Sequence, residues 1–408
     1  MGTGAEGSKG VRVPGRILDL REHEPAFLHR TELSEEEAEV LWRNHHKQIN
    51  VEYPSPRSSG DWKLSSLGWV GHLPVTRELS LRLTPKVKLD NLFHMLEVAY
   101  SLPSLEFPGL IDCGSLEEIF ERLAHILARR VLARGRRGFY REYVPQEDRL
   151  PYIRGRLDLN RALRAPWEVS LDCHYQEHTA DVEDNQILAW TLSRIARSAA
   201  CSRSEVASTV GKAFRSLQGI ATPMPLSPSA CSGRLYTRLN DDYRPLHALC
   251  RFFLENTGPT HEPGDRQALP FLVNMNNLFE MFVAEWLTAH LPPGLKLRPQ
   301  ENVPLGSGMW FKIDGVLYER STGQPLLVLD TKYKDEPSPT TADIAQVVAY
   351  AEAKGCRDAV LVYPVDLRTS FDIRVGTIRV RTLAFRLDGD LEANGLHFLG
   401  RLLTAPHR

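Results

Sequence analysis

The clearest hydrophobic pattern lies in the last third of the chain. Apolar residues keep helical spacing from Leu278 to Leu287, and branched apolar runs typical of buried strands follow. In chain order, the pattern predicts a helix over residues 271–291, strands over 295–298, 311–318 and 326–333, a helix over 341–354 and a strand over 359–363. This order of helices and strands predicts a compact α/β layer.

The first hundred residues show a different pattern, in which short alternating segments are separated by Pro and Gly. The predicted strands lie within residues 11–18, 48–53, 64–72 and 79–83. Ser34 and Glu37 have the spacing of a capping box, which predicts a short helix over residues 34–42. A second helix follows Pro85. Residues 52–61 have the composition of an exposed loop, either a linker or a projecting finger.

The middle of the chain, residues 115–264, is predicted to be largely helical, with an extended segment at residues 140–159. Residues 256–266 are rich in Gly and Pro and predict a linker. The expected fold class is therefore a multidomain α+β protein. It would comprise a β-rich region over residues 1–110, a mainly helical region over 111–265, and a C-terminal α/β domain over 266–408.

Composition adds a local concentration of positive charge to this picture. The chain has 408 residues, more than one ordinary core, and its formal net charge is only -1. Residues 121–164, however, contain twelve Arg and no Lys, against five acids. Guanidinium groups pair well with phosphates, so this block contains candidate DNA-backbone contacts. The candidates are Arg141, Arg149, Arg154 and Arg156. Intrachain ion pairs explain such arginines equally well.

Cysteine usage and hydropathy indicate the compartment. The six cysteines are scattered and include no C-x-x-C pair, which favours reduced structural thiols over a zinc site or a disulfide framework. No apolar run approaches the roughly 18 residues that a membrane span needs. We therefore expect no association with membranes and a cytoplasmic location.

Charged residues interrupt the predicted strands at one place. The buried run that ends at Leu329 meets Asp330 and Lys332, which point to the same side of a strand, roughly 7 Å apart. A second acid, Asp314, lies in the preceding strand, directly before Gly315. If the two strands pair as a hairpin, two carboxylates and one ammonium group converge on one face.

Two carboxylates beside an amine are suited to metal-dependent phosphodiester hydrolysis. Mg²⁺ prefers oxygen ligands and keeps positions open for water and phosphate, and Mn²⁺ is an alternative. The expected ligands are Asp314, Asp330 and the main-chain carbonyl of Thr331, with Lys332 as the amine. An Asp at the end of a strand can also cap a turn or pair with a neighbouring Lys.

The helices on either side of the strands offer further candidates. Glu280 could reach the metal, or it could be the third residue of a capping box that begins at Asn277. Asp343, Gln346 and Tyr350 share one helical face. That face is either simply solvated or holds Lys332 or a substrate phosphate.

These residues resemble a known family. Asp314 in KIDG and Asp330-x-Lys332 in LDTKYK, within that order of elements, resemble the PD-(D/E)XK nuclease core, the restriction-endonuclease-like fold. Gln346-x-x-x-Tyr350 resembles the Q-x-x-x-Y element of its RecB-like branch. The stretches PYIRGRLDL, EHTADVEDNQIL, LVNMNNLFEMFVAEWL and DTKYK, in this order, resemble McrC, the nuclease subunit of the 5-methylcytosine-specific restriction system. Ile313 stands where the superfamily name has Pro.

The resemblance implies a Mg²⁺-dependent DNA endonuclease subunit with Asp314, Asp330 and Lys332 at its centre. It also implies an AAA+ GTPase partner of the McrB type, which reads methylated double-stranded DNA and hydrolyses GTP, and which the N-terminal region would contact and stimulate. No Walker motif occurs in this chain, so nucleotide hydrolysis must come from elsewhere. A stand-alone repair nuclease and a non-catalytic DNA-binding or ring-capping subunit remain as alternatives.

Overall fold

The computed structural model describes residues 15–76, 78–102, 114–164, 167–198, 204–258, 270–334 and 338–404. The chain divides into two units. The first contains the residues up to Ile119 together with those from Pro259 onward, and the second runs from Phe120 to Gly258. The domain boundaries expected from the sequence stay predictions, and most of the predicted linker lies outside the described residues.

The N-terminal part of the first unit is rich in strands, as predicted. Its elements are β1 (Arg16–Arg21), β2 (Ala26–Leu28), α1 (Glu35–His45), β3 (Ile49–Glu52), β4 (Trp62–Ser66), β5 (Trp69–Pro74), β6 (Leu79–Thr84) and α2 (Leu89–Ala99). The capping box before α1 is confirmed, since the Ser34 hydroxyl accepts from the Glu37 amide at 3.2 Å and the Glu37 carboxylate accepts from the Ser34 amide at 3.0 Å. Residues 64–72 contribute to two strands rather than one.

The second unit combines helices with a small sheet. Its elements are most of α3 (Leu116–Arg137), then β7 (Glu142–Leu150), β8 (Arg156–Leu157), α4 (Leu159–Arg164), β9 (Leu171–Thr179), α5 (Glu183–Ile195), α6 (Ser204–Leu217) and α7 (Arg244–Asn256). The strands pair in the order β7-β9-β8. The predicted extended segment is thus two strands, whereas β9 was not predicted.

The C-terminal part of the first unit contains the predicted helix, three strands, helix and strand. The elements are β10 (Phe271–Asn274), α8 (Met275–His290), β11 (Leu295–Gly306), β12 (Met309–Glu319), β13 (Pro325–Thr331), α9 (Thr341–Lys354), β14 (Asp358–Tyr363), β15 (Asp372–Val375), β16 (Ile378–Ala384) and α10 (Leu391–Leu403). The sheet order is β11-β12-β13-β14-β16-β15. The predicted order is confirmed, and the expectation of a mixed α+β chain holds.

The helix predicted over residues 271–291 begins later than expected, because its first four residues form strand β10. Residues 271–274 were expected to be helical, but they pair antiparallel with β5 in the four-stranded sheet β1-β6-β5-β10. Helix α8 begins only at Met275, because the Asn274 side chain accepts from the amides of Asn276 and Asn277 and caps the helix there. The capping box proposed for Asn277 and Glu280 is therefore wrong.

A buried carboxylate connects the N-terminal sheet to the chain that follows β13. Glu22, directly after β1, is fully buried, and its Oε2 accepts from the Tyr333 hydroxyl at 3.2 Å and the Lys86 amide at 3.3 Å. Burial raises the pKa of Glu22 to about 6, and the hydrogen bonds from Lys86 and Tyr333 offset only part of that effect. The N-terminal sheet is thus fixed next to Lys332.

Glu22 predicts a pH dependence of stability. Its pKa rises from 4.5 in the unfolded chain to about 6 when folded, so the folded state binds the proton more tightly. The stabilisation that comes from this tighter proton binding is complete below pH 4.5 and is lost as the pH rises through 6. The loss should approach about 2 kcal/mol. Unfolding free energies measured from pH 4 to 7.5 should fall less steeply for Glu22→Gln than for the wild type, and identical slopes would contradict the prediction.

Candidate active site

The hairpin of β12 and β13 brings the two predicted acids together. The strands pair antiparallel with Gly315 opposite Leu329, so Asp314 and Asp330 lie one position further along the same pair. A Cβ at Gly315 would come within 3.2 Å of the Leu297 side chain, a tight contact, so glycine allows β12 to pack closely here. The hairpin hypothesis is confirmed.

Asp314 is oriented by the residue between Asp330 and Lys332. The Thr331 amide and the Thr331 hydroxyl each donate to Asp314 Oδ2 at 2.7 Å. The sequence assigned only the main-chain carbonyl of Thr331 to the site. The side chain adds a second function, which a hydroxyl residue between the acid and the lysine could have indicated. Both bonds fix the Asp314 carboxylate beside the end of β13.

Asp330 is a buried acid in a negative environment. Its side chain is only 2% exposed, and its Oδ2 lies 2.8 Å from Lys332 Nζ but has no well-oriented hydrogen bond. Burial and the Asp314 carboxylate raise the pKa of Asp330 to about 7, although Lys332 opposes the shift. A buried, incompletely satisfied carboxylate oxygen is the kind of group that a bound cation would stabilise.

Lys332 is held from the next helix. Gln346 Oε1 accepts from Lys332 Nζ at 2.9 Å, and Gln346 Nε2 donates to the Tyr350 hydroxyl at 2.7 Å. Burial disfavours the charged ammonium, but Asp330 and Asp343 outweigh it and raise the pKa of Lys332. Asp343 itself belongs to the capping box of α9 with Thr340. The polar face of α9 therefore contacts Lys332 and is not merely solvated.

Glu280 approaches the site from α8. It is the sixth residue of that helix, and its Oε1 accepts from Gln300 Nε2 at 3.1 Å. Burial raises the pKa of Glu280, the Asp314 carboxylate raises it further, and Lys312 opposes the shift. The structure thus brings Glu280 near Asp314, and the helix-capping explanation for this acid no longer applies.

The candidate site offers few metal-binding groups, and their number and chemical type indicate which metal ion they could hold. Within the described ranges, no group of three or more His, Cys, Asp or Glu side chains is arranged to enclose a metal ion. Asp314, Asp330 and the Thr331 carbonyl supply only oxygen donors, and Asp330 Oδ2 lacks a well-oriented partner. Mg²⁺ usually takes one or two carboxylates and keeps its water ligands. The residues present therefore fit Mg²⁺ better than they fit a closed Zn²⁺ or Ca²⁺ site.

The four candidate DNA-contacting arginines lie in the second unit, on or beside its small sheet. Arg149 forms an ion pair with Glu168, while Arg154 lies 3.5 Å from Glu177 and stacks over the Tyr175 ring at 3.8 Å. Arg141 and Arg156 are exposed. Intrachain pairing thus accounts for two of the four, and contact with DNA stays a prediction for all of them.

The other sequence expectations concern cysteines and membranes. Cys173, Cys231, Cys250 and Cys356 are buried free thiols, and Cys113 and Cys201 lie outside the described residues. Across the described parts of the chain, the helices are all too short or too polar to cross a bilayer.

Comparison with known proteins identifies similar sequences. The family model for the McrBC 5-methylcytosine restriction system component matches residues 64–364. The Type IV methyl-directed restriction enzyme EcoKMcrBC of Escherichia coli (strain K12) is 23% identical over 217 residues, which is 51% of this chain and 60% of that protein. The match thus covers less than two thirds of the relative's length.

Solved structures show a similar fold. One is a refined half-complex from the tetradecameric assembly of Thermococcus gammatolerans McrB AAA+ hexamers with bound McrC. The match covers 95% of this chain and 100% of the matching chain in that structure, with a TM-score of 0.53 and 19% sequence identity. The cryo-EM structure of the Thermococcus gammatolerans McrBC complex matches 68% of this chain and 88% of its own, with a TM-score of 0.43 and 21% identity.

Proposed function

Because this chain belongs to the McrBC 5-methylcytosine restriction system component family, we propose that it is the nuclease subunit of such a system, a Mg²⁺-dependent DNA endonuclease with a PD-(D/E)XK core. The observation that carries the proposal is the convergence of Asp314, in the middle of β12, with Asp330 and Lys332 at the end of β13. The region that the family model matches, residues 64–364, includes all three.

The carboxylates of Asp314 and Asp330 and the Thr331 carbonyl would hold the metal, with Glu280 in reach of its water shell. Bound Mg²⁺ supplies Lewis acidity, which neutralises charge on the phosphate and lowers the pKa of a bound water. The Lys332 ammonium, charged at neutral pH, donates hydrogen bonds to the attacking water or to a phosphate oxygen. Gln346 and Tyr350 keep that ammonium directed toward the two acids.

The cleavage reaction would depend on a partner. In the Thermococcus assembly, McrC is bound to McrB AAA+ hexamers, and we extend that partnership to this chain. The partner would bind GTP and recognise methylated double-stranded DNA, and residues 1–110 of this chain would dock on it and stimulate GTP hydrolysis. This division of labour agrees with the absence of a Walker motif here. The complex would act in the cytoplasm.

A cleavage assay of the full chain tests the proposed function. Cleavage of methylated DNA should require Mg²⁺, the AAA+ partner and GTP together, and the chain alone should cut weakly. Vigorous cleavage without the partner would favour the stand-alone nuclease. No cleavage under any of these conditions, despite assembly with the partner, would favour the non-catalytic subunit.

A further inference from the structure

A cavity of about 420 Å³ lies in the first unit beside the end of β13. The N-terminal strands and the start of α2 form one side, with Arg21, Lys86 and Lys88. The chain after β13 forms the other, with Tyr333 and Lys334. Residues far apart in sequence thus form one cavity next to the candidate active site.

The cavity carries an excess of positive charge. Its lining includes two acids, Glu24 and Asp388. Glu24 pairs with Arg21 at 3.0 Å, and Asp388 pairs at 2.8 Å with Arg386, which also lies 3.7 Å from Asp366. The lining itself contains four cationic side chains, Arg21, Lys86, Lys88 and Lys334, against these two acids, while Lys86 lies near the buried Glu22 and Lys334 contacts Asp343. The lining therefore favours an anion.

One lining residue of the cavity, Lys334, lies close to the predicted catalytic lysine, Lys332. Lys334 Nζ lies 3.3 Å and Lys332 Nζ lies 3.8 Å from the same oxygen, Asp343 Oδ1. The two ammonium groups are therefore within about 7 Å of each other. Between them in sequence, Tyr333 lines the cavity and donates to the buried Glu22.

We propose that this cavity binds backbone phosphates of the DNA strand next to the bond that is cut, so that the N-terminal sheet forms part of the DNA path. The inference rests on the proposed nuclease function. Successive phosphates on one strand advance by about 3.4 Å along the helix axis, so a phosphate held at Lys332 has neighbours that can approach Lys334 and the cavity that Lys334 shares with Lys88. Apolar lining residues, Val87 and Leu387, suit the sugar between phosphates.

Lys88→Glu tests the inference with little risk to the fold. Lys88 is exposed and occupies the N-cap position of α2, where a negative charge is favourable to the helix. Lys47→Glu, an exposed lysine outside the cavity, makes the same charge change and serves as the control. Binding of the full chain to a short DNA duplex is measured by fluorescence anisotropy at several salt concentrations, in the absence of divalent cations.

The expected result is a several-fold weaker affinity for Lys88→Glu and a salt slope that is smaller by about 1. Lys47→Glu should bind like the wild type. Wild-type affinity and slope for Lys88→Glu would overturn the inference, as would equal weakening by both variants, which would reflect net charge alone.

A second arm separates DNA from free phosphates, which share the same chemistry. Fluorescent GTP and inorganic phosphate are tested as ligand and competitor. If Lys88→Glu no longer bound GTP or inorganic phosphate but bound the DNA duplex as the wild type does, the cavity would be a nucleotide or phosphate site. The inference would then be wrong. Cleavage by the wild type is measured in parallel. If the wild type cleaves DNA and Lys88→Glu cleaves it with the same KM, the proposed phosphate-binding cavity is refuted but the nuclease function is not. If the wild type does not cleave DNA, the nuclease function itself is refuted.

Discussion

Asp330→Asn is expected to lower the rate of DNA cleavage by about 10³-fold or more while the protein stays folded. The carboxylate is a proposed metal ligand and lies 2.8 Å from Lys332, so its loss weakens the metal site and releases the amine. Removing a metal or a charge-stabilising group costs several kcal/mol in the transition state, and each 1.36 kcal/mol is tenfold in rate.

The stability of the folded protein should change little, in contrast to the cleavage rate. Asp330 is buried, its pKa is raised to about 7, and its Oδ2 lacks a well-oriented hydrogen bond. Asparagine has nearly the same shape without the charge, and Lys332 keeps Gln346 and Asp343 as partners, so the melting temperature should stay close to that of the wild type. Loss of activity with retained stability and partner binding is the signature of a catalytic position.

Asp372→Asn is the matched control. This acid lies on β15, the edge strand at the far side of the same sheet, and its pair with Arg379 is solvent-exposed on the Asp372 side. The substitution should leave cleavage near the wild-type rate. Unchanged cleavage by Asp330→Asn would refute the site assignment, and a large fall in its melting temperature would mark Asp330 as structural.

The centre of the site could be predicted from the sequence because it depends on local pattern. Charged residues at Asp330 and Lys332 interrupt an apolar run, and a strand pairs with its neighbour across a short turn. The predicted bounds of helix α9, residues 341–354, agree with the observed ones. Its ends are set locally, because Thr340 and Asp343 form the cap at its start and Gly355 ends it. Short-range physical chemistry suffices for each of these features.

The start of α8 shows where local pattern fails. Residues 271–274 are apolar and directly precede the helical stripe, and a short apolar run does not distinguish a buried strand from a helix. Pairing with β5, some two hundred residues earlier in the chain, decides the outcome. The correction changes the function assigned to Glu280, because that acid no longer belongs to a capping box.

Contacts between distant segments were not predictable from one sequence. Glu22 and Tyr333 are separated by 311 positions and yet share a hydrogen bond. No periodicity encodes such a pair, and the cationic cavity beside it depends on the same association of the N-terminal strands with the C-terminal sheet. The N-terminal sheet therefore supports the site directly, whereas the sequence suggested for it only docking with a partner.

Gly71→Ala is expected to lower the unfolding free energy by about 4 kcal/mol. Gly71 has a φ of +128°, which L residues rarely adopt, and it lies opposite Leu272 of β10. A Cβ at this position would overlap the carbonyl oxygen of Phe271, and a main-chain atom cannot move aside by a change of rotamer. Strands β5 and β10 would have to separate.

The consequence should reach the active site through α8. The Met275 amide, at the first residue of α8, donates to the Gly68 carbonyl at 2.9 Å, so the helix that carries Glu280 begins on this strand pair. Gly71→Ala should therefore increase hydrogen exchange in residues 271–280 and reduce cleavage, whereas Asp330→Asn should leave that exchange unchanged.

Gly60→Ala is the control. It has a φ of +86° but open space around the new Cβ, so it should cost only about 1 kcal/mol. Equal destabilisation by the two alanine variants would show that backbone strain alone matters and that the contact between β5 and β10 does not.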